Sequence, residues 1–174
     1  MKYKLTDETI KFEGCTLYRI ECVTLFGSIK AGDKGGFIEK ESNLSQEGLC
    51  WVDDNAKVYD NAKVYDGACV FDNARVYGEA SVGGFARVYD NAKVSGDARV
   101  YDGAEVYDSA QVYGFAKVYG DTWVYGEAKV FGAARVYDGA EVYDKAIVCG
   151  HVQVYGEAKV GGNALEVGEK QIYD

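Results

Sequence analysis

One histidine, five cysteines and a glycine-rich segment are the residues of this 174-residue chain that could carry catalysis. His151, in VCGHVQ, is the one imidazole available as a general base. A polar residue is also ordinary at such a turn, so no catalytic residue is assigned and His151 stands as the one candidate base. A zinc site built on three histidines is excluded by the count. Cys15, Cys22, Cys50, Cys69 and Cys149 are scattered and contain no CxxC pair, so neither a metal centre nor a disulfide framework is indicated. A reactive thiol at Cys69 or Cys149 would need an activating base beside it, and no such base is evident. AGDKGGF (Ala31–Phe37) lacks the spacing and the Lys-Ser/Thr of a phosphate loop and reads as a turn.

The other chemistry on offer is recognition. Lys57, Arg75, Lys93, Arg99, Lys117, Lys129 and Arg135 recur close to tyrosines, and cations beside aromatic rings can hold a flat anionic ligand. The net charge of −9 argues against generic nucleic-acid binding. The N-terminus has no apolar signal core and no apolar run approaches the ~18 residues of a membrane span. The expectation is a soluble, cytoplasmic chain with reduced thiols, no membrane partner and no cofactor.

What positions these residues is a repeat. Valine stands at position 52 and at every sixth position to Val160, nineteen times in all. A small residue precedes each next valine by two places, from Ala56 to Ala164, with Thr122 and Val152 as exceptions. Six is not a multiple of 3.6, so these valines share no helical face, whereas residues two apart in a strand point the same way. The Asp or Gly two places after each valine supplies turn chemistry. Each rung is therefore a short strand and a corner, with Ala and Val filling a narrow interior.

V-Y-D-N-A-K and its variants resemble the hexapeptide repeat of left-handed β-helix proteins. The resemblance implies an all-β fold: a single-stranded left-handed parallel β-helix, triangular, with three rungs per coil and about six coils. Its left-handed crossovers would depart from the usual rule for parallel strands. The residue after the valine is usually small in that family; here Tyr or Phe fills fourteen of nineteen such places. In residues 1–50, KYKL, TIKF, LYRIEC and SIKA read as short strands with Gly-containing turns, and the stretch LYRIECVTLFGSIKAGDKGGFIEKESNLSQEGLCWVDDNAKV (17–58) resembles the leader of a bacterial and phage group of hexapeptide-repeat proteins labelled as transferases. The expected division is a β-rich cap over 1–50, the repeat helix over 51–165, and a closing segment over 166–174, where the six-residue phase is expected to slip at Glu166.

Threefold phasing sorts the outward residues. The first face carries Trp51, Cys69, Arg87, Glu105, Trp123, Glu141 and Lys159 before the valines. Phe71, Tyr89, Tyr107, Tyr125 and Tyr143 follow them. The second and third faces carry the seven basic residues named above. Tyrosines stacked along parallel coils form stabilising ladders on any face, but five aromatics in register plus Trp123 make a large apolar strip. The expectation is a non-catalytic oligomeric scaffold or binding module whose interface uses Trp51, Phe71, Arg87, Tyr89, Tyr107, Trp123, Tyr125 and Tyr143. By the resemblance it would be a homotrimer. Two alternatives accompany it. One, also implied by the resemblance, is an acyltransferase with acyl-CoA as its substrate and His151 as its base. The other is sequestration of a nucleotide or similar anion between protomers, as in a phage-type inhibitor.

Overall fold

A valine every six residues leaves room for only a two-residue strand per rung, and the chain forms just that: Lys57–Val58, Lys63–Val64, Cys69–Val70 and so on down the column. In a computed structural model describing residues 1–174, these rungs stack into three sheets of a parallel β-solenoid. Each rung pairs in parallel with the rung 18 residues on, as in Arg75–Lys93–Gln111 and Val76–Val94–Val112. The backbone bonds repeat accordingly, with Lys93 N–H donating to the Ala110 carbonyl at 2.9 Å and Ser95 N–H to Val112 at 2.9 Å. Interior alanines and valines from Ala56 to Val154 are essentially inaccessible to solvent. Thr122, standing where alanine usually does, is buried too, and its hydroxyl donates to the Tyr119 carbonyl at 2.8 Å.

The corners explain the acidic columns. Asp54, Asp72, Asp90, Asp108 and Asp144 adopt positive φ, between 50° and 56°. Asp tolerates this left-handed region better than most residues. Each carboxylate also accepts a backbone N–H from the next coil, for example Asp90 N–H to Asp72 Oδ2 at 3.3 Å and Gly126 N–H to Asp108 Oδ2 at 3.0 Å. The acids are therefore corner fasteners as well as surface charge.

The cap comprises β1 (Tyr3–Phe12), β2 (Cys15–Cys22), β3 (Lys34–Ile38) and a short 3-10 turn at Glu41–Asn43. β1 and β2 form an antiparallel hairpin, β3 adds antiparallel to β2, and β3 then pairs in parallel with Lys57–Val58. The cap thus continues the second-face sheet. A Cβ on Gly35 would collide with the Val52 carbonyl, which is why glycine stands at this junction. SIKA, expected as a strand, is a turn instead: Gly27 takes φ +52° and Phe26 and Ile29 bridge each other. Lys2 closes the apolar end of the coil. Its ammonium donates to the Cys50 carbonyl at 2.9 Å and lies 5.1 Å from the Phe26 ring centroid.

The expected count of about six coils is corrected to about eight turns. Valine rungs alone omit the coil opened by β3 and Leu44, which bridges Val64, and the stretch that finishes at Gln171–Tyr173 on Gln153–Tyr155. The slip of phase expected at Glu166 is corrected: the six-residue register persists through 166–174, with Glu166 paired to Val148 and Ile172 to Val154, because backbone pairing does not require a valine at the inward site. Glu166 thus holds a site in the valine column and is ion-paired to Lys170.

The small inward position takes nothing bulkier than Thr122 or Val152, so a longer branched side chain has no room there. Ala104→Leu is expected to lower stability by about 1–3 kcal/mol, read as a fall in the melting temperature by circular dichroism, while Asn91→Gln at an exposed corner leaves it within about 0.5 kcal/mol.

Candidate functional site

The first face is where aromatic rings, charges and a cleft meet. Because its rungs stack in register, Phe71, Tyr89, Tyr107, Tyr125 and Tyr143 form one continuous ladder. Their ring centroids are 4.8, 5.0, 5.0 and 5.4 Å apart, with planes within 13°. The rings reach toward the next coil, so Tyr89 Oη donates to Glu105 at 2.9 Å and Tyr125 Oη to Glu141 at 3.1 Å. Glu105 also meets Arg87 at 3.6 Å, and Glu141 meets Lys159 at 2.8 Å. The Arg87 guanidinium lies 5.3 Å from the Phe71 and Tyr89 ring centroids. The charges of Arg87, Glu105, Glu141 and Lys159 are thus answered within this face, and Trp123, 45% exposed, stands between Glu105 and Glu141 in the same column.

At the head of the ladder lies a cleft of about 390 Å³. Phe26–Ile29 of the cap, Leu49, Trp51, Cys69, Phe71 and Arg87 line it, with Asp53 and Asp54 adding negative charge. Trp51, expected on the open face, is buried instead, edge-on to Phe26 at 5.4 Å and to Tyr3 at 6.4 Å. The cap folds over it, which phasing along the repeat had no means of registering. Burial pushes the Cys69 thiol up, partly opposed by Arg87, so it stays protonated and is a poor nucleophile. Cys149, which the phase turns outward, is only 8% exposed; Phe131 precedes it in the same column, and rings in these columns lean toward the following coil.

On the second face, Arg75 pairs with Glu13 at 3.2 Å and lies 4.8 Å from the Phe12 ring centroid. Lys57 is pulled down, first by burial and then by Arg75. Lys93 and Lys129 make no ion pair. On the third face, Arg99, Lys117 and Arg135 pair in direct register without an acidic partner, beside the stacked rings of Tyr101, Tyr119 and Tyr137. His151 is exposed at a corner, its backbone N–H bonded to Gly168, and it borders a shallow depression with Gln153, Glu169, Lys170 and Gln171.

The sequence reading missed Cys15, Glu39 and Asp60, whose ligand atoms fall within 4.8 Å of one another where the cap meets the coil. Burial, and then the nearby Glu39 and Asp60 carboxylates, push the thiol up. Both carboxylates are engaged by backbone: Asp60 N–H donates to Glu39 at 2.6 Å and Gly78 N–H to Asp60 at 3.1 Å. These residues lie 21 or more positions apart from their neighbours in the cluster, and no motif joins them.

Parallel rungs in three stacked sheets, each closed by an Asp or Gly corner, define a β-solenoid of hexapeptide repeats. The repeat family described as "YdcK Beta solenoid repeat" matches residues 86–102. A protein of Escherichia coli (strain K12) named "Uncharacterized acetyltransferase YdcK" is 36% identical over 64 residues. That match covers 32% of this chain and 20% of the relative, so the chain spans only a fifth of the length of the curated relative it matches. No helix in the chain is long and apolar enough to cross a membrane.

Burial, followed by the Glu141 hydrogen bond, pushes the Tyr125 phenol up to about 12, and the same causes with Glu105 raise Tyr89. A folded-state pKa above the unfolded value near 10 means the folded protein holds these protons more tightly. Their contribution to stability is fully present below about pH 10 and is lost as pH rises toward 12. Absorbance titration at 295 nm is expected to show delayed phenolate formation, with unfolding by circular dichroism over the same alkaline range.

Proposed function

We propose that the protein is a β-solenoid scaffold that self-associates through its first face and presents the cleft at the head of the aromatic ladder for binding. The observation that carries this reading is apolar exposure beside already-paired charges. Trp123 is 45%, Leu49 53% and Phe85 73% exposed. Phe85 lies against Gly67, one of the cleft-lining residues. Because Glu105 and Glu141 are each paired in place, burying the ladder beside them strands neither carboxylate. A homo-oligomer, by analogy a trimer, is the assembly this reading favours. Tyr107→Lys with Tyr125→Lys is expected to reduce the mass measured by light scattering while the circular dichroism spectrum keeps its β signature. A wild-type chain that already runs as a monomer, or a double variant of unchanged mass, overturns the interface.

A second reading is supported by the relative named as an acetyltransferase: acyl transfer from an acyl-CoA, with His151 as base in a groove completed by a neighbouring protomer. Acetyl-CoA at millimolar concentration is then expected to raise the melting temperature of the wild type by several degrees and that of His151→Ala by a similar amount, with turnover lost only in the variant. An absent thermal shift in the wild type removes this reading.

A further inference from the structure

The ring ladder of the second face is broken at one rung. Tyr59 stacks on Tyr77 with centroids 5.1 Å apart, and Tyr113 stacks on Phe131 at 4.7 Å. The residue between the two pairs, in the same column, is Ser95. Its backbone keeps the solenoid bonds: Tyr77 N–H donates to Val94 at 3.0 Å and Ser95 N–H to Val112 at 2.9 Å. Tyr77 and Tyr113 therefore face one another across two coil repeats, about 9.6 Å, where one ring of the regular ladder is missing.

Gaps elsewhere in the ladders close themselves. Gly161 follows Tyr143 and Gly83 follows Tyr65, and in both places the ring occupies the space a Cβ would need. Tyr143 accordingly tips 13° from Tyr125. Ser95 has a Cβ, and Tyr77 keeps its ladder orientation, within 3° of Tyr59. The cap also holds the upper pair in place: Phe12 packs edge-on to Tyr59 at 5.7 Å, and Tyr77 borders the same cluster. The slot is therefore a preorganised pair of ring faces one ring apart.

Its electrostatics select a sign. Arg75, above, is committed to Glu13 and Phe12, and Gln111, below, is neutral. Lys93, beside the slot and half-buried, makes no ion pair or side-chain hydrogen bond and so is the uncommitted cation. Asp97 at the following corner and Asp90 at the preceding one flank the slot on both sides, which disfavours a long polyanion and leaves Lys93 as the point where a single anionic group can be met. We propose that the Ser95 slot binds a flat aromatic ring carrying one anionic group, of the purine nucleoside monophosphate class. The base completes the ladder between Tyr77 and Tyr113, and the phosphate meets the Lys93 ammonium. This site lies on a different face from the proposed self-association surface, so each stands or falls separately.

The test is an NMR titration of the full chain with adenosine 5′-monophosphate. Wild type and Ser95→Ala are expected to bind saturably with similar affinity. Ser95→Tyr, which restores the residue type most rungs carry, is expected to fold with an unchanged or higher melting temperature and to bind about tenfold or more weakly. Lys93→Gln is expected to weaken binding several-fold and flatten its salt dependence. Ribose 5-phosphate is expected not to compete. Absence of saturable binding by wild type, undiminished binding by folded Ser95→Tyr, or equal competition by ribose 5-phosphate overturns the proposal.

Discussion

Parallel backbone pairing at an interval of 18 residues is the constraint from which the rest of this structure follows. Each N–H and C=O of a rung is answered by the rung above or below, as in Arg99 N–H to Ala116 and Tyr101 N–H to Val118. Three rungs must therefore fit in every circuit, and the narrow interior is filled almost throughout the repeat by Val and Ala. Because a coil repeat of about 4.8 Å brings identical positions into contact, one substitution repeated down the chain becomes a column. The columns are what give this otherwise monotonous scaffold distinct surfaces.

Three kinds of column result. Corner aspartates combine a left-handed backbone with a carboxylate that accepts from the next coil, so the acidic balance of the chain serves the fold. Outward rings stack on one another and are half-buried by doing so, which makes them structural before they are functional. The charged columns differ most between faces. On the first, Arg87, Glu105, Glu141 and Lys159 neutralise one another. On the third, Arg99, Lys117 and Arg135 repeat the same sign without acidic partners, an arrangement that disfavours close approach and keeps that face solvated. The difference makes the first face the better surface to bury.

The cap does more than cover an open end. It continues the second-face sheet through β3, sends Phe12 and Glu13 onto Tyr59 and Arg75, and folds Phe26 over Trp51. One element thereby shapes both the cleft on the first face and the upper wall of the broken ladder on the second. The segment shared with the Escherichia coli relative is too short a part of either protein to carry an activity across, so function here is argued from these surfaces.

The sequence by itself determined the rungs, the inward valines, the corner residues and the membership of each outward column, because a period of six is a purely local property that every coil repeats. Tyr107 and Tyr125 were legible as ladder partners for that reason. Only the tertiary structure decided what the cap covers. Trp51 reads as an exposed interface residue until Phe26 and Tyr3 are seen packed against it, and Arg75 reads as a free cation until Glu13, 62 residues earlier, is found beside it. The convergence of Cys15, Glu39 and Asp60 was hidden for the same reason. Contacts between a non-repeating hairpin and a repeating surface depend on how two separate pieces dock, and no periodicity in either piece encodes that docking.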